Sequence, residues 1–140
     1  MSDSDVVRVL TREECFEFLG TQQLGRLVVR RKDDMDIFPI NYTIDGEDIY
    51  FRTAEGNKLF SLTLNQDVLF EVDAVGDDVA QSVVIKGEAA RVVDSAEIAH
   101  ADSLPLKPWL PTLKYNYVRI QPTKDVSGRR FRLGEEPERY

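Results

Sequence analysis

The chain has 140 residues and a formal charge of −7, because 25 Asp and Glu residues outweigh 18 Lys and Arg residues. This length suits one domain with a proper hydrophobic core, and 42% hydrophobic with 31% charged residues is ordinary for a globular protein in water. The acidic balance argues against binding to nucleic acid or to an anionic membrane, since both favour a basic surface.

Cysteine content and hydropathy further restrict the class of protein to which the chain can belong. The single cysteine, Cys15, excludes a disulfide within the chain and a multi-cysteine metal site. No apolar run approaches the roughly 18 residues of a membrane helix, and no basic-then-apolar signal peptide is recognisable. The sequence therefore predicts a cytoplasmic protein that does not enter the membrane.

The first predicted element is a helix capped by Thr11. Glu14, three residues later, completes a capping box. Cys15 falls on the same helical face as Phe18 and Leu19. We therefore expect Cys15 to be a small core residue rather than a reactive thiol.

Most of the remaining chain alternates between apolar and polar residues, with turns between the runs. The predicted strands are 24–31, 37–44, 49–53, 68–73, 82–93, 117–121 and 126–133, the last being a separate strand or a continuation of the sixth. A short helix is predicted from Lys58, and a capping box at Asp94 and Glu97 predicts another over residues 95–104. Many short strands with few helices indicate a mainly β protein, a barrel rather than a series of βαβ units.

Three positions in these strands predict special geometry. Pro39 cannot donate to a β-ladder, so it predicts an edge strand or a bulge. Gly87, in the middle of the longest strand, predicts a bend of the kind that turns a barrel corner. Asp45-Gly46 predicts a hairpin turn.

Residues 49–59 combine side chains that suit a phosphate group. Arg52 near a strand end, the Thr53 hydroxyl, a glycine turn and Lys58 at a helix start occur within seven residues. Helix N-termini attract anions, Arg offers a planar fork of donors and Lys adds a point charge. The segment predicts a phosphate cradle; the alternative is a solvated turn with incidental cations.

Other chemistry has little support in the sequence, which contains no glycine-rich nucleotide fingerprint, phosphate loop or metal-ligand spacing. A hydrolytic triad would have to recruit His100 or Cys15, and neither has supporting neighbours. Glu71 and Asp73 share a strand face, where we expect a solvated or ion-paired role. The basic run at residues 129–132 is interpreted as part of a dimer interface or a cofactor contact rather than a nucleic-acid site.

Five short motifs occur in order along residues 10–133. They are Gly25-Arg26-Leu27, Pro39-Ile40-Asn41-Tyr42, Phe51-Arg52-Thr53 with Gly56-Asn57-Lys58-Leu59, Phe70-Glu71-Val72-Asp73 and Ser82-Val83-Val84-Ile85-Lys86-Gly87. In order and spacing they resemble the pyridoxamine 5'-phosphate oxidase-like family of FMN-binding proteins, in particular its short members, which include nitroimidazole-reductase-like proteins. The resemblance implies a Greek-key split β-barrel as a single domain over residues 7–134, with residues 135–140 as a C-terminal tail. It also implies a homodimer that holds two flavin mononucleotides (FMN) at the subunit interface.

The resemblance also implies a set of cofactor-binding residues. They are Pro39, Ile40, Asn41, Tyr42, Arg52, Thr53, Lys58, Gln81, Ser82, Trp109 and Arg129. Arg52, Thr53 and Lys58 would hold the flavin phosphate. Residues 39–42 would lie along the ring, with backbone groups and the Asn41 amide at its polar edge. Gln81 and Ser82 would approach the pyrimidine end.

The chain departs from the family pattern in two respects. Gln81 stands where relatives often carry a tryptophan, which affects ring stacking and the choice between FMN and a deazaflavin. The catalytic histidine of the nitroimidazole-reductase-like branch has no counterpart. No catalytic residue is therefore assigned.

The resulting functional prediction is an FMN-dependent oxidoreductase that acts on a small organic substrate by hydride transfer, with the protein supplying binding and orientation. Two alternatives stay open: a non-catalytic flavin or deazaflavin binding protein, and a barrel without cofactor that acts as a dimeric interaction module. Synthesis of pyridoxal phosphate is disfavoured, because the longer C-terminal substrate-binding region of the authentic oxidase has no room here. The expected interface anchors are aromatic and Arg residues: Tyr42, Trp109, Tyr115, Tyr117 and the arginines of 129–132.

Overall fold

The computed structural model of the protein describes residues 6–53, 66–106 and 116–134. The strands are β1 (Val7–Val9), β2 (Leu24–Arg31), β3 (Asp34–Asn41), β4 (Thr43–Asp45), β5 (Asp48–Thr53), β6 (Asp67–Val75), β7 (Val79–Arg91), β8 (Asn116–Pro122) and β9 (Ser127–Arg132), and the helices are α1 (Arg12–Gly20) and α2 (Ser95–Asp102). These strands form one antiparallel sheet in the order β3-β2-β6-β7-β8-β5-β4, and β9 pairs with both β7 and β1. The predicted mainly β split barrel is confirmed.

Strand β7 joins the two halves of the sheet. One of its edges pairs with β6, and the other pairs first with β9 and then, from Gly87 onward, with β8. A Cβ atom on Gly87 would lie 2.6 Å from the carbonyl oxygen of Gln121. The glycine thus stands where β7 changes partner and where β8 approaches too closely for a side chain.

The prediction of one continuous strand over residues 37–44 is wrong. The chain is extended from Asp34, but it pairs with β2 only as far as Asn41 and with β5 only from Thr43. Between them, the backbone N–H of Tyr42 donates to the carbonyl oxygen of Gln23 at 3.0 Å. Tyr42 therefore marks a corner at which the chain leaves one half-sheet and joins the other. Pro39 lies on β3, at the edge of the sheet, as predicted.

The main core lies between the sheet and α1. Its largest fully buried side chains come from α1 and from alternate strand positions: Leu19, Leu27, Ile49, Phe51, Phe70, Ile85 and Ile120. Cys15 is 0% exposed, so its predicted role as a core residue is confirmed. The predicted capping box of Thr11 and Glu14 is present.

A second, smaller cluster of buried side chains lies between α2 and strands β5 and β8. It contains Tyr50, Val92, Ala101 and Tyr117. Asp94 caps α2 by accepting the backbone N–H of Glu97 at 3.0 Å. Its residues 95–102 confirm the predicted helix apart from its last two positions.

The remaining differences between the predicted and the observed elements concern segments that are short or that lie outside the described residues. β1, which pairs with β9, has only three residues and was not predicted, since alternation cannot be recognised over so short a run. The helix predicted from Lys58 lies outside the described residues. In the described part of the chain, no helix is both long and apolar enough to cross a lipid bilayer.

Candidate functional site

The predicted ring-binding segment, residues 39–42, presents only alternate side chains to its surroundings. Pro39 is exposed and Asn41 is partly exposed, whereas Ile40 and Tyr42 are 4% and 3% exposed and belong to the core. This alternation follows from the period of two in a β-strand. Ile40 and Tyr42 therefore offer a ligand their backbone groups and not their side chains.

Tyr42 is held in place on several sides. Its hydroxyl donates to the carbonyl oxygen of Leu19 at 2.7 Å, and its ring packs edge-on against Phe70 at 5.0 Å between centroids. Burial raises the pKa of the Tyr42 phenol, so the neutral donor form is favoured. The interpretation of Tyr42 as an interface anchor is wrong, because its own chain buries it. Tyr117 is 5% exposed and lies beneath α2. Its interpretation as an interface anchor is wrong for the same reason.

A cleft of about 160 Å³ opens at the corner formed by Tyr42. Gln23, Asn41, Tyr42 and Pro105 line it. The Asn41 side-chain amide donates to the carbonyl oxygen of Gln23 at 3.3 Å, which orients the amide at the cleft. The cleft thus offers amide donors and acceptors beside an apolar wall.

Arg52 and Thr53 lie at the end of β5, opposite Tyr117 and Asn116 of β8. Both are partly buried. Thr43, two residues after Asn41, pairs with Tyr50, two residues before Arg52, and β3 and β5 are in contact. The structure therefore places the cation and hydroxyl of the predicted cradle at the same end of the barrel as the cleft. Lys58, Trp109 and Tyr115 lie outside the described residues.

The other predicted contacts lie further along the strand order of the same sheet, on β7 and β9. Ser82 pairs with Arg129, and Gln81 pairs with Arg130. Because neighbouring residues of a strand point to opposite faces, the Gln81 and Ser82 side chains do not meet a single ring edge together. Ser82 and Arg129 share the outer face with Asn41, but three and four strand spacings separate them from it, about 14 and 19 Å measured along the sheet. Within one chain, the predicted residues that the structure describes form two separate sets.

An ion cluster lies between these two sets, on the same outer face. Arg26 Nη1 donates to Glu71 Oε1 at 3.0 Å and to Asp73 Oδ2 at 2.8 Å. The ion-paired role predicted for the two carboxylates is confirmed. The cluster's position amid the predicted cofactor contacts was not foreseen, because it depends on how β2 and β6 pair.

The two carboxylates of the cluster differ in proton affinity. Partial burial and a hydrogen bond with Asp73 raise the pKa of Glu71 to about 6, while the same hydrogen bond and the Arg26 charge lower the pKa of Asp73. Glu71 is thus the member that keeps a proton in mildly acidic solution, and Asp73 carries the negative charge that Arg26 balances.

His100 lies on α2, where its Nε2 is 2.6 Å from Asp45 Oδ2. Its ring meets Tyr50 edge-on, with centroids 6.4 Å apart. The contact ties α2 to β4, and His100 is not among the residues that line the cleft. Within the described ranges, no group of three His, Cys, Asp or Glu side chains is arranged to hold a metal ion.

Comparison with known proteins establishes the family. The family model described as pyridoxamine 5'-phosphate oxidase matches residues 11–130, most of the chain. The chain belongs to this family.

Solved structures agree with this assignment along almost the whole chain. A Corynebacterium glutamicum protein, provisionally described as a pyridoxamine 5'-phosphate oxidase, is 57% identical, with a TM-score of 0.85 over 91% of this chain and 99% of that one. An FAD-binding protein from Mycobacterium smegmatis is 40% identical, with a TM-score of 0.78 over 90% and 99%. An FAD-binding protein from Mesorhizobium loti is 25% identical, with a TM-score of 0.72 over 89% and 98%.

We predict that Glu71→Gln changes how stability depends on pH. The pKa of Glu71 rises from an ordinary 4.5 to about 6 on folding, so the folded state binds more protons than the unfolded state between these values. Stability contributed by protonated Glu71 is complete below pH 4.5 and is lost as the pH rises through 6. The side-chain amide of the substituted glutamine retains a donor for Asp73 at every pH, so the variant lacks this loss.

Urea unfolding from pH 4.5 to 6 measures the effect. The free energy of unfolding of the wild type, relative to Glu71→Gln, should fall as the pH rises. Glu88→Gln, at an exposed position of β7, is the matched control for removing one carboxylate. A difference between wild type and Glu71→Gln that stays constant over this interval would show that folding leaves the proton affinity of Glu71 unchanged.

Proposed function

We propose that this protein binds a flavin nucleotide at the corner cleft and acts as an oxidoreductase on a small organic substrate. The observation that carries the proposal is the FAD-binding relative from Mycobacterium smegmatis, 40% identical and similar in fold over 90% of this chain. The proposal commits to the FMN moiety, which FMN and FAD have in common.

The side chains around the cleft suit the polar parts of a flavin. The Asn41 amide supplies both a donor and an acceptor, as the pyrimidine edge of the ring requires. Pro39 offers an exposed apolar surface on the same strand face. Arg52 and Thr53, at the end of β5, supply a guanidinium fork and a hydroxyl for a phosphate group, and the family resemblance adds Lys58.

The two separate sets of predicted contacts support a homodimer. The resemblance assigns Asn41 and Ser82 to the polar end of the ring, yet in one chain two strands lie between them, a path of about 14 Å along the sheet. One ring edge does not reach both. The sets meet at a single flavin if Ser82 and Arg129 of the partner subunit face Asn41. Leu24, between Asn41 and Asp73 on this outer face, is a 37% exposed apolar residue of the kind that such an interface covers.

In the proposed reaction, the bound flavin supplies hydride acceptance and donation, and the protein orients the reactants. The amide of Asn41 would hold the polar edge of the ring, and Arg52 and Thr53 would hold the phosphate. Catalysis then requires a substrate carbon held about 3–3.5 Å from the ring in an aligned geometry. A binding protein that holds a flavin or deazaflavin without turnover is the second candidate, because no catalytic side chain has been assigned.

The first prediction concerns the phosphate. FMN and FAD should bind at least tenfold more tightly than riboflavin, because charge-assisted hydrogen bonds to phosphate contribute roughly 1.5–3 kcal/mol each. Fluorescence quenching during titration measures all three affinities. Arg52→Ala and Lys58→Ala should reduce the affinity for FMN and leave that for riboflavin unchanged, and Arg91→Ala, on the exposed end of β7, is the control for loss of a cation. Equal affinities of the wild type for FMN and riboflavin would contradict the phosphate cradle.

A second prediction tests the shared site. In a homodimer of Asn41→Ala or of Arg129→Ala, every site lacks one contact, whereas a mixed dimer has one site with both contacts intact. Co-expression of the two variants should therefore restore flavin binding with wild-type affinity to part of the sites. Light scattering should give twice the 16.0 kDa of one chain. A 16.0 kDa species that binds flavin with full affinity would refute the shared site.

The third prediction separates enzyme from binding protein. Bound flavin should be bleached anaerobically by NADH, NADPH or a reduced deazaflavin faster than free flavin, and a quinone or nitroaromatic acceptor should reoxidise it. His100→Ala should leave both rates nearly unchanged, because His100 pairs with Asp45 and does not line the cleft. If no donor bleaches the bound flavin faster than free flavin, the binding-protein candidate replaces the enzyme.

A further inference from the structure

A second cavity, of about 310 Å³, lies on the outer face of β2, β6 and β7. Its floor includes Val28 and Leu69, which are register partners on neighbouring strands and are both only partly buried. Met35 of β3, 65% exposed, contributes to one wall, and Thr123 and Lys124 of the β8–β9 connection contribute to another. The cavity does not share a lining residue with the corner cleft.

The connection that forms one wall is fixed to β7 by two hydrogen bonds. The backbone N–H of Thr123 donates to the carbonyl oxygen of Lys86 at 3.0 Å, and the Thr123 hydroxyl donates to the same oxygen at 3.3 Å. Lys86 and Lys124 are therefore held at the same rim by the backbone of the fold.

The rim of the cavity is cationic in a chain whose net charge is −7. Arg30, Lys86 and Lys124 reach it from three different elements, and Asp67 is the acidic residue in the lining. Within the described ranges, none of these three cations forms a salt bridge. Cations gathered around a concave surface raise the local concentration of anions, and an apolar floor favours a ligand that also has an apolar body.

We propose that this cavity binds a small amphipathic carboxylate, with its head group at Lys86 and Lys124 and its apolar body on Val28, Leu69 and Met35. The volume of the cavity limits the size of the ligand. A water molecule occupies about 30 Å³ in the liquid, so the cavity holds a ligand of the order of ten non-hydrogen atoms, such as a medium-chain fatty acid anion. This site shares no lining residue with the corner cleft of the proposed flavin site.

Octanoate, octan-1-ol and octylammonium serve as probes, because they share an apolar chain and differ in the charge of the head group. Isothermal titration of the full chain should show binding of octanoate, about tenfold weaker binding of octan-1-ol, and none of octylammonium. Lys86→Ala and Lys124→Ala should each weaken octanoate binding about tenfold. Arg91→Ala removes the same charge from an exposed position at the far end of β7 and should leave octanoate binding unchanged.

A methyl signal locates the ligand. The chain contains two methionines, Met1 and Met35, so protein labelled with ¹³C at the methionine methyl groups gives a direct reporter for the wall of the cavity. Met35→Leu, a substitution of similar volume, assigns the signal. Octanoate should shift the Met35 methyl resonance with the midpoint found by calorimetry.

Four outcomes would overturn the proposal. They are the absence of octanoate binding in the millimolar range, equal affinities for octanoate and octan-1-ol, an equal loss of affinity in Arg91→Ala and Lys86→Ala, and octanoate binding that leaves the Met35 methyl signal unmoved. The last outcome would place the ligand elsewhere on the protein.

Discussion

The corner at Tyr42 is the constraint on which the two half-sheets depend. Its backbone N–H is bonded to Gln23 instead of extending a ladder, its hydroxyl is bonded to Leu19, and its ring packs against Phe70. A buried donor that loses its partner costs about 1–3 kcal/mol, so this arrangement strongly favours one conformation of the chain between β3 and β4. The corner leaves Asn41 at the mouth of a cleft and brings β3 into contact with β5, the strand that carries Arg52.

Much of the fold could be predicted from local patterns. Alternation located the longer strands, and the capping residues Thr11 and Asp94 located both described helices, because strand period and helix capping are properties of a few consecutive residues. The partner exchange at Tyr42 could not be predicted in this way. Residues 37–44 alternate without interruption, and only the pairing with β2 on one side and β5 on the other divides them.

The candidate site shows the same limit. The family motifs select residues but not the faces to which they point, so Gln81 and Ser82 were given one role although the pleat directs them apart. The position of the Arg26, Glu71 and Asp73 cluster between the two sets of contacts results from five strands laid side by side. Residues that lie side by side across these strands are far apart in sequence, and the register that aligns them is a tertiary property. The separation of the sets along the sheet is the observation that motivates the homodimer proposed above.

The small cluster beneath α2 packs this helix onto the barrel separately from the main core. Tyr50, Val92, Ala101 and Tyr117 are buried apart from the main core, and the Tyr117 hydroxyl donates to Asp102 at 2.6 Å. Opening of the helix breaks this cluster together with the contacts of His100 with Asp45 and of Glu97 with Tyr50, and leaves the main core in place. Its amide hydrogens can therefore exchange with solvent through a local opening. Because Pro105, three residues beyond α2, lines the corner cleft, a ligand held against it binds only the closed state. Occupancy of the cleft thereby slows hydrogen exchange in a helix that the ligand does not touch.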